Sequence, residues 1–332
     1  MDVTVRSATD AAETLTENDC AVVIDALRAS ATAIALLEVG AKGVIPVAGD
    51  GADRFGEDVL KVGEHHGERI AGFDLGNSPT EVRERADLFE NEDVVLRTTN
   101  GTRCVERVDS AGTIVMGSLL NAKALVETCR DRLPAESRVV FVPAGRRGDR
   151  APEDTYTAVA LARRLQAALG DPVTASAPES DMAEAITDAS TTTTAAPAAG
   201  ATSSESPAAH GGDTSAETGD LRPAEEVFVE SDTGRFLASK NWSEDVRFCA
   251  QENVFEAVPV LEDGRFVDGR PTTRSATAGA DGAGGTAAES PDSTEPTERE
   301  PDTSHLDDVD PSCGCVGVWE HLSEQRSASG DR

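Results

Sequence analysis

The sequence predicts an α/β protein in three layers, α/β/α, with a mainly parallel or mixed sheet and with disordered acidic low-complexity segments. Two observations support this fold class. Short apolar, β-branched runs alternate with Ala-rich helical stretches through the first half of the 332 residues, and the alternation returns briefly after residue 226. Strands that alternate with helices form sheets that are covered on both faces.

The first elements form one strand–helix–strand unit over residues 19–47. The unit begins with the apolar run CAVVI, continues with the Ala-rich stretch ALRASATAIALL and ends with GVIPV. Short β-branched runs are typical of buried strands, whereas the longer Ala-rich stretch is typical of a helix.

The same alternation continues to residue 169. Further strands are predicted near 93–97, 113–116 and 138–143, and helices over 119–132 and 152–169. Each strand is an apolar, β-branched run, and each helix has the length and periodicity of a helix with one buried face. These elements extend the α/β pattern.

Residues 226–267 contain the last predicted elements. A helix comes first, a second helix begins at Ser243, and a hairpin turns at Asp263-Gly264. Asp-Gly between apolar runs is a strong signal for a tight hairpin. We expect this stretch to complete the domain that begins at residue 1.

Two polar stretches separate or follow the predicted elements. They are rich in Ala, Ser, Thr, Gly, Pro and acids, so they bury too little apolar surface to offset the entropy of ordering. We predict one domain from residues 1–170 and 226–267. Residues 171–225 form a disordered insertion with room for a short helix over 181–189, and residues 268–332 form an acidic tail.

The chain is strongly acidic. It has 61 Asp and Glu against 30 Lys and Arg, a formal charge of −31, and only four of its basic residues are lysines. This charge excludes a basic nucleic-acid binder and is typical of halophilic proteins, which stay soluble when salt screens ordinary repulsion. The alternative is that acidic disordered segments alone produce the charge.

The sequence predicts a soluble cytoplasmic protein with free thiols. No apolar run approaches the ~18 residues of a membrane span, and the polar start has no signal-peptide pattern. Six cysteines are too sparse for a disulfide framework, so free thiols are expected. Cys313 and Cys315 lie near His305 and His321, but their spacing is not that of a common zinc site.

Asp25 stands where the first strand of the 19–47 unit ends and its helix begins. Open α/β sheets bind ligands at the carboxyl ends of strands, and the N–H groups of a first helical turn attract anions. Together with Arg28, Asp25 could hold a cation beside an anion. The structural alternative is an aspartate that only caps the helix.

Residues 63–79 hold the second group of candidates. Ser78 and Pro79 fit the start of a capped helix, which explains them structurally. An anion-binding loop or a carboxylate site would explain the others. These others are Glu64, Gly72, Asp74, Gly76 and Asn77.

Two more loops follow predicted strands. Thr98, Thr99, Asn100, Gly101 and Thr102 come directly after the strand at 93–97. The Asn-Gly pair predicts a hairpin to a strand near Cys104, and the hydroxyl and N–H groups would equally suit phosphate or sulfonate oxygens. The two interpretations are compatible.

The loop after the strand at 138–143 carries charges of both signs. Acids in a first helical turn are expected from the helix dipole alone. Three arginines beside three carboxylates also suit an anion next to a divalent metal. The loop contains Gly145, Arg146, Arg147, Asp149, Arg150, Glu153 and Asp154.

Other phosphoryl-transfer patterns are missing. The sequence has no GxGxxG after a strand, no GxxxxGK[ST] and no CxxxxxR phosphate loop. Leu27 stands where a haloacid-dehalogenase phosphatase needs a second aspartate, and neither His65 nor His66 accompanies a Ser or Cys nucleophile elbow.

Taken together, the loops resemble one family. The motifs DALRA from Asp25, GFDLGNSP from Gly72, TTNGT from Thr98, and Gly145 followed by Glu153-Asp154 are similar to those of the 2-phosphosulfolactate phosphatases. The resemblance covers residues 1–170 and 226–267. It implies Mg²⁺-dependent hydrolysis of 2-phospho-3-sulfolactate to 3-sulfolactate and phosphate, a step of coenzyme M biosynthesis.

The charges of the implied substrate indicate which roles the candidate residues would have in this reaction. A substrate with three anionic groups needs a metal and arginines to offset desolvation and repulsion. We expect Asp25, Glu64 and Asp154 to hold Mg²⁺, directly or through water, and Asp25, Arg28 and Asp154 to act in catalysis. The expected substrate-binding residues are Asn77, Ser78, Thr98, Thr99, Asn100, Gly101, Thr102, Gly145 and Arg146.

The predicted partner is a small anionic phosphorylated substrate, with no nucleic acid and no membrane, and the sequence leaves a homo-oligomer open. Two alternatives stay open at this point. One is a phosphatase of the same family that acts on another phosphorylated hydroxy acid. The other is a non-catalytic anion-binding protein, which the candidate metal carboxylates disfavour.

Overall fold

The computed structural model describes residues 1–171, 180–187 and 221–270. The predictions for most of the insertion, for the acidic tail and for Cys313 and Cys315 lie outside these ranges. Within these ranges, the short helix predicted over 181–189 is observed at Ser180–Ile186. The four described cysteines are free thiols, as expected, and no described helix is long and apolar enough to cross a membrane.

The strands of the described part belong to one sheet. In chain order they are β1 (Asp2–Val5), β2 (Asp19–Ile24), β3 (Gly43–Val47), β4 (Leu60–His65), β5 (Glu68–Arg69), β6 (Asp93–Arg97), β7 (Thr113–Met116), β8 (Arg138–Pro143), β9 (Pro259–Glu262) and β10 (Arg265–Asp268). Their order across the sheet is β1-β8-β2-β7-β9-β10-β3-β6-β4-β5.

The helices of the described part pack on this sheet and on one another. They are α1 (Ala8–Thr14), α2 (Ala29–Glu38), α3 (Pro79–Glu84), α4 (Gly101–Arg107), α5 (Ala122–Arg132), α6 (Pro152–Leu169), α7 (Ser180–Ile186), α8 (Ala224–Glu230), α9 (Asp232–Ser239) and α10 (Ser243–Cys249). α5 and α6 contact each other, α2 contacts α3 and α4, and α8 contacts α6. The predicted α/β class with a large, mainly parallel sheet is confirmed.

Strand β2 lies in the core of the sheet. It pairs in parallel with β8 on one side and with β7 on the other, and all six of its residues are buried. A strand that is covered on both faces must be apolar almost throughout, which the run CAVVI satisfies. The following helix α2 is buried from Ala29 to Leu37, so the small alanines allow close packing at the start of the cleft described below.

A hairpin from the end of the described chain joins two groups of parallel strands. β1, β8, β2 and β7 form one parallel group, and β3, β6 and β4 form the other. The hairpin of β9 and β10 lies between them and pairs antiparallel with β7 and with β3. It turns at Asp263 and Gly264, both at positive φ, as the Asp-Gly signal predicts.

The hairpin predicted from Asn100-Gly101 is wrong. The chain enters helix α4 at Gly101, and Asn100 is the residue before it. The Thr102 hydroxyl donates to the Thr98 carbonyl oxygen at 2.9 Å, and the Thr102 N–H donates to Thr98 Oγ1 at 3.3 Å. These bonds favour a helical start over a return strand.

Candidate active site

A cleft opens where the loops after β2, β4, β6 and β8 meet helix α9, and its empty volume is about 500 Å³ when the open mouth is counted. Seven of the predicted site residues line it. They are Asp25, Arg28, Glu64, Asn77, Thr99, Asn100 and Arg146. Residues far apart in the sequence therefore converge, as the loop motifs predicted.

Asp25 lies at the inner end of this cleft, buried against two helix starts. Its carboxylate accepts hydrogen bonds from the backbone N–H of Ala29, at 3.2 Å, and from that of Gly101. The residue before α2 is Arg28, so the prediction that Asp25 itself is the helix cap is wrong. Asp25 instead receives N–H groups from the first residues of both α2 and α4.

Gly101 permits this close approach. A Cβ atom added at Gly101 would lie 2.6 Å from the Cβ of Ala29 and 3.0 Å from Oδ2 of Asp25. The first distance is shorter than packed atoms tolerate, and the second is tighter than most Cβ contacts. Gly101 therefore acts by its small size and its N–H group rather than by a side chain that binds substrate.

Four carboxylates form what we call the acidic floor: Asp25, Glu64, Glu153 and Asp154. Burial raises the pKa of Asp25 to about 7, with a further contribution from the negative charges of Glu64 and Glu153. Burial likewise raises the pKa of Asp154 well above its usual value, helped by Asp25 and Glu153, and it raises the pKa of Glu153. Negative charge is thus concentrated here beyond what nearby cations offset.

Asp154 and Glu64 hold the loops of the cleft in place. Asp154 Oδ1 accepts the Ala26 N–H at 2.8 Å, and its Oδ2 accepts the Gly145 N–H at 2.9 Å. Glu64 Oε1 accepts from the N–H and the hydroxyl of Thr99 at 2.8 and 2.7 Å, and its Oε2 accepts the Gly67 N–H. Asp154 does not line the cleft itself.

Two buried oxygen atoms near the cleft have no hydrogen-bond partner among the described residues. They are Oε2 of Glu153 and Oδ1 of Asn77. An unpaired buried oxygen costs about 1–3 kcal/mol, so such atoms call for an explanation. A bound ligand, ion or water would supply the missing partners.

Arg28 is the most buried arginine of the cleft and lies opposite the acidic floor. Its Nη1 pairs with Oδ2 of Asp245 from α10, and its guanidinium carbon lies 4.8 Å from the centre of the Trp242 ring. The Leu27–Arg28 peptide bond is cis. The contacts with Asp245 and Trp242 hold the Arg28 side chain in place before any ligand binds.

Asp245 joins the C-terminal helices to the start of α3. Its Oδ1 accepts from the hydroxyls of Ser78, at 2.9 Å, and Thr80, at 2.6 Å. Ser78 also caps α3 by accepting the Glu81 N–H, which confirms the predicted helix start. Ser78 thus serves the scaffold and does not line the cleft.

The loop after β8 carries two further arginines. The Arg146 guanidinium carbon lies 4.8 Å from the Phe236 ring centre, and its charge acts on Glu153. Arg147 Nη2 lies 3.3 Å from Nδ1 of His66 across the mouth of the cleft. Gly145 has a φ of +71°, which a side chain would strain.

A family model described as 2-phosphosulpholactate phosphatase matches residues 6–207. The chain belongs to the 2-phosphosulfolactate phosphatase family. A second model, of a family of unknown function, matches residues 277–327. The resemblance found in the loop motifs is confirmed, and the family is one of phosphoric monoester hydrolases.

Curated members of the 2-phosphosulfolactate phosphatase family resemble the chain over most of their length. Proteins named probable 2-phosphosulfolactate phosphatase from Thermotoga petrophila and Thermotoga maritima are 33% and 31% identical to it, over 74% of this chain and 91% of each relative. One of the same name from Clostridium acetobutylicum is 37% identical over 43% of this chain and 61% of the relative.

In this member of the phosphatase family, some of the predicted site residues do not line the cleft. Asp154, Ser78, Thr98, Gly101, Thr102 and Gly145 are not among the lining residues. Sequence reasoning missed Asp245, His66 and Phe236 as parts of the site. A buried acid in a first helical turn is a weak signal for Asp245, because acids are common there.

Proposed function

We propose that the chain hydrolyses 2-phospho-3-sulfolactate to 3-sulfolactate and inorganic phosphate, and that Mg²⁺ supports the reaction. The named relatives support the substrate. The observation that carries the proposal is that one cleft is lined by two carboxylates of the acidic floor, Asp25 and Glu64, and by three arginines, Arg28, Arg146 and Arg147. A phosphomonoester with two more anionic groups needs both a cation and guanidinium donors.

The residues of the acidic floor fit a hard divalent cation. Burial and mutual repulsion raise the pKa values of Asp25 and Asp154, and Oε2 of Glu153 has no partner among the described residues. Within these residues no three His, Cys, Asp or Glu side chains surround one ion position. Mg²⁺ does not require this, because it typically takes one or two carboxylates, waters and substrate phosphate.

Of Asp25, Glu64 and Asp154, one or two would contact the ion directly and the others would hold it through water. When bound, Mg²⁺ polarises phosphoryl oxygens and offsets their charge. Glu64 and Asp154 also fix the loops that carry Thr99 and Gly145. Among the described residues no arginine pairs with the Asp25 carboxylate. Asp25 is the carboxylate that orients water, or attacks phosphorus as the hydroxyl oxygen of sulfolactate leaves.

The donors of the cleft bind the anionic groups of the substrate. Arg28 is pre-positioned by Asp245 and Trp242, so little side-chain entropy is lost when it binds an oxygen atom. Arg146, Asn77, Thr99 and Asn100 line the same cleft and supply further hydrogen bonds. Preorganised donors of this kind stabilise the charge that develops on phosphate oxygens.

Phosphate release from 2-phospho-3-sulfolactate tests the proposal. The full chain is assayed in molar KCl, which suits the halophilic character predicted from its acidic composition, with Mg²⁺, with EDTA, and with Mg²⁺ restored after EDTA. We expect release with Mg²⁺, a loss of more than about tenfold with EDTA, and recovery on restoration.

Two results would contradict separate parts of the proposal. Release that EDTA leaves unchanged would refute the role of the metal. No release from this substrate, with release from another phosphorylated hydroxy acid such as 2-phosphoglycolate, would refute the substrate but not the phosphatase class.

A further inference from the structure

The mouth of the cleft carries His66 and Arg147, and neither has yet been assigned to a particular group of the substrate. We propose that this rim pair binds the sulfonate of the substrate and thereby determines which phosphate ester is accepted. The proposal rests on the proposed function and specifies one subsite within it.

The contact between the two side chains fixes what they offer to a ligand. Arg147 Nη2 lies 3.3 Å from His66 Nδ1. A guanidinium group can only donate, so Nδ1 is the acceptor of this contact and the N–H group of the ring is at Nε2. The rim pair therefore presents N–H donors alone: Nε2–H of His66 and the remaining N–H groups of Arg147.

The backbone holds the rim pair in position. The Arg147 N–H donates to Oδ1 of Asn100 at 3.2 Å, which ties the rim to the loop after β6. His66 and Arg147 both have a φ of +53°. Residues other than glycine rarely adopt this conformation, and those that do concentrate at ligand sites.

The three cleft arginines differ in how their charge is already compensated. Arg28 pairs with the buried Asp245, and Arg146 acts on Glu153 of the acidic floor. Among the described residues, Arg147 forms no ion pair with a carboxylate, and its side-chain contact is His66. Arg146 forms no ion pair among the described residues either, but its guanidinium lies against the Phe236 ring, so the charge of Arg147 remains for an anion at the mouth of the cleft.

The chemistry of the substrate assigns the sulfonate to this place. The reacting phosphate must meet the acidic floor and its cation, which lie at the inner end of the cleft. A sulfonate is a tetrahedral group with three acceptor oxygens that stays ionised at every physiological pH, so it needs donors and no metal. Donors on two separate side chains suit three divergent oxygens better than they suit a flat carboxylate, which favours one guanidinium fork.

Three substrates separate the anionic groups. 2-Phospho-3-sulfolactate has both the carboxylate and the sulfonate, 2-sulfoethyl phosphate keeps only the sulfonate, and 2-phospholactate keeps only the carboxylate. We expect Arg147→Ala to lower kcat/KM about 10- to 100-fold for the two sulfonates. For 2-phospholactate the change should stay below about threefold.

Matched variants isolate the rim pair. Arg147→Lys keeps the charge without the fork and should give an intermediate loss. His66→Ala should lower kcat/KM about 3- to 10-fold on the sulfonates alone. Arg6→Ala removes an exposed arginine outside the cleft and should leave all three substrates unaffected, which controls for net charge.

An equal loss on all three substrates, or a loss confined to 2-phospholactate, would overturn the sulfonate assignment. Calorimetric binding of 3-sulfolactate and of lactate gives the same comparison without turnover. Weaker binding of 3-sulfolactate to Arg147→Ala than to the wild type would support the subsite even if the phosphatase assay failed. Equal binding would refute it.

Discussion

Two aspartates lie at the two ends of strand β2. Both are buried, but their hydrogen-bond partners and the directions of their pKa shifts differ. Asp19 begins the strand and Asp25 follows it, and their exposed fractions are 8% and 6%. Hydrogen bonds from Arg138, at 2.6 and 3.1 Å, lower the pKa of Asp19, and Thr16 contributes further. Burial and neighbouring acids raise the pKa of Asp25 instead.

The difference shows which end of the strand is built for stability and which for function. At the amino end, each charge has a partner and the carboxylate is satisfied within the fold. At the carboxyl end, acids face acids, and the balancing charge has to come with a ligand. Strongly perturbed acids in a cleft are typical of active sites.

The sharpest test of this contrast is Asp25→Asn. We expect phosphatase activity to fall about 10³-fold or more, because the carboxylate that meets phosphate or metal is lost. The free energy of unfolding should fall by no more than ~1–2 kcal/mol, about the contribution of a hydrogen-bonded cap. Phosphate release and urea denaturation in high salt measure the two effects.

Asp19→Asn is the matched control for that variant. Activity per folded molecule should stay within about twofold of the wild type, because Asp19 lies outside the cleft. Full activity in Asp25→Asn, or loss of activity in Asp19→Asn, would contradict the assignment of function to the carboxyl end of β2 and of stability to its amino end.

Asp245 tests whether a paired aspartate can also serve the site. It is 1% exposed and is the partner of Arg28. Asp245→Ala leaves that guanidinium buried without an ion partner, so we expect the free energy of unfolding to fall by about 3–5 kcal/mol, measured by urea denaturation.

A double variant separates the charge from the packing around it. Arg28→Met combined with Asp245→Leu removes both charges, and it should recover much of the lost stability while activity stays low. Wild-type stability in Asp245→Ala alone would show that the pair holds neither α10 nor Arg28.

The smallest expected effect is the pH dependence at Asp19. Its pKa is lower in the folded chain than in the unfolded chain, so its contribution to stability is present above the unfolded pKa and disappears as pH falls through the folded one. Asp19→Asn should cost about 2 kcal/mol near pH 7 and progressively less below pH ~4. A difference that does not change between these pH values would contradict the pairing.

The sequence predicts the elements and the loops of the site better than it predicts their partners. Asp25 and Arg146 follow predicted apolar strands, so their convergence follows from the strand pattern. Asp245 lies 217 residues after Arg28, and no local pattern connects them. Strand β4, which carries Glu64, went unpredicted because its run LKVGEH is short and half polar.

The Thr98–Thr102 loop shows a different reason for failure. Asn-Gly predicts a hairpin from local turn preferences, yet the carboxylate of Asp25 accepts the Gly101 N–H and stabilises the start of a helix. A contact between residues 76 positions apart therefore overrides the local signal. Glu153 was likewise explained by the helix dipole, although its burial and unpaired oxygen belong to the site.

The position of the β9–β10 hairpin in the sequence affects how the chain folds during its synthesis. Strands β7 and β3 pair with β9 and β10, which are the last of the described elements to be synthesised. Until then, both strands keep open edges, and open edges recruit strands from other chains. A chain that ends before Pro259 leaves both edges open and is thus expected to be prone to aggregation.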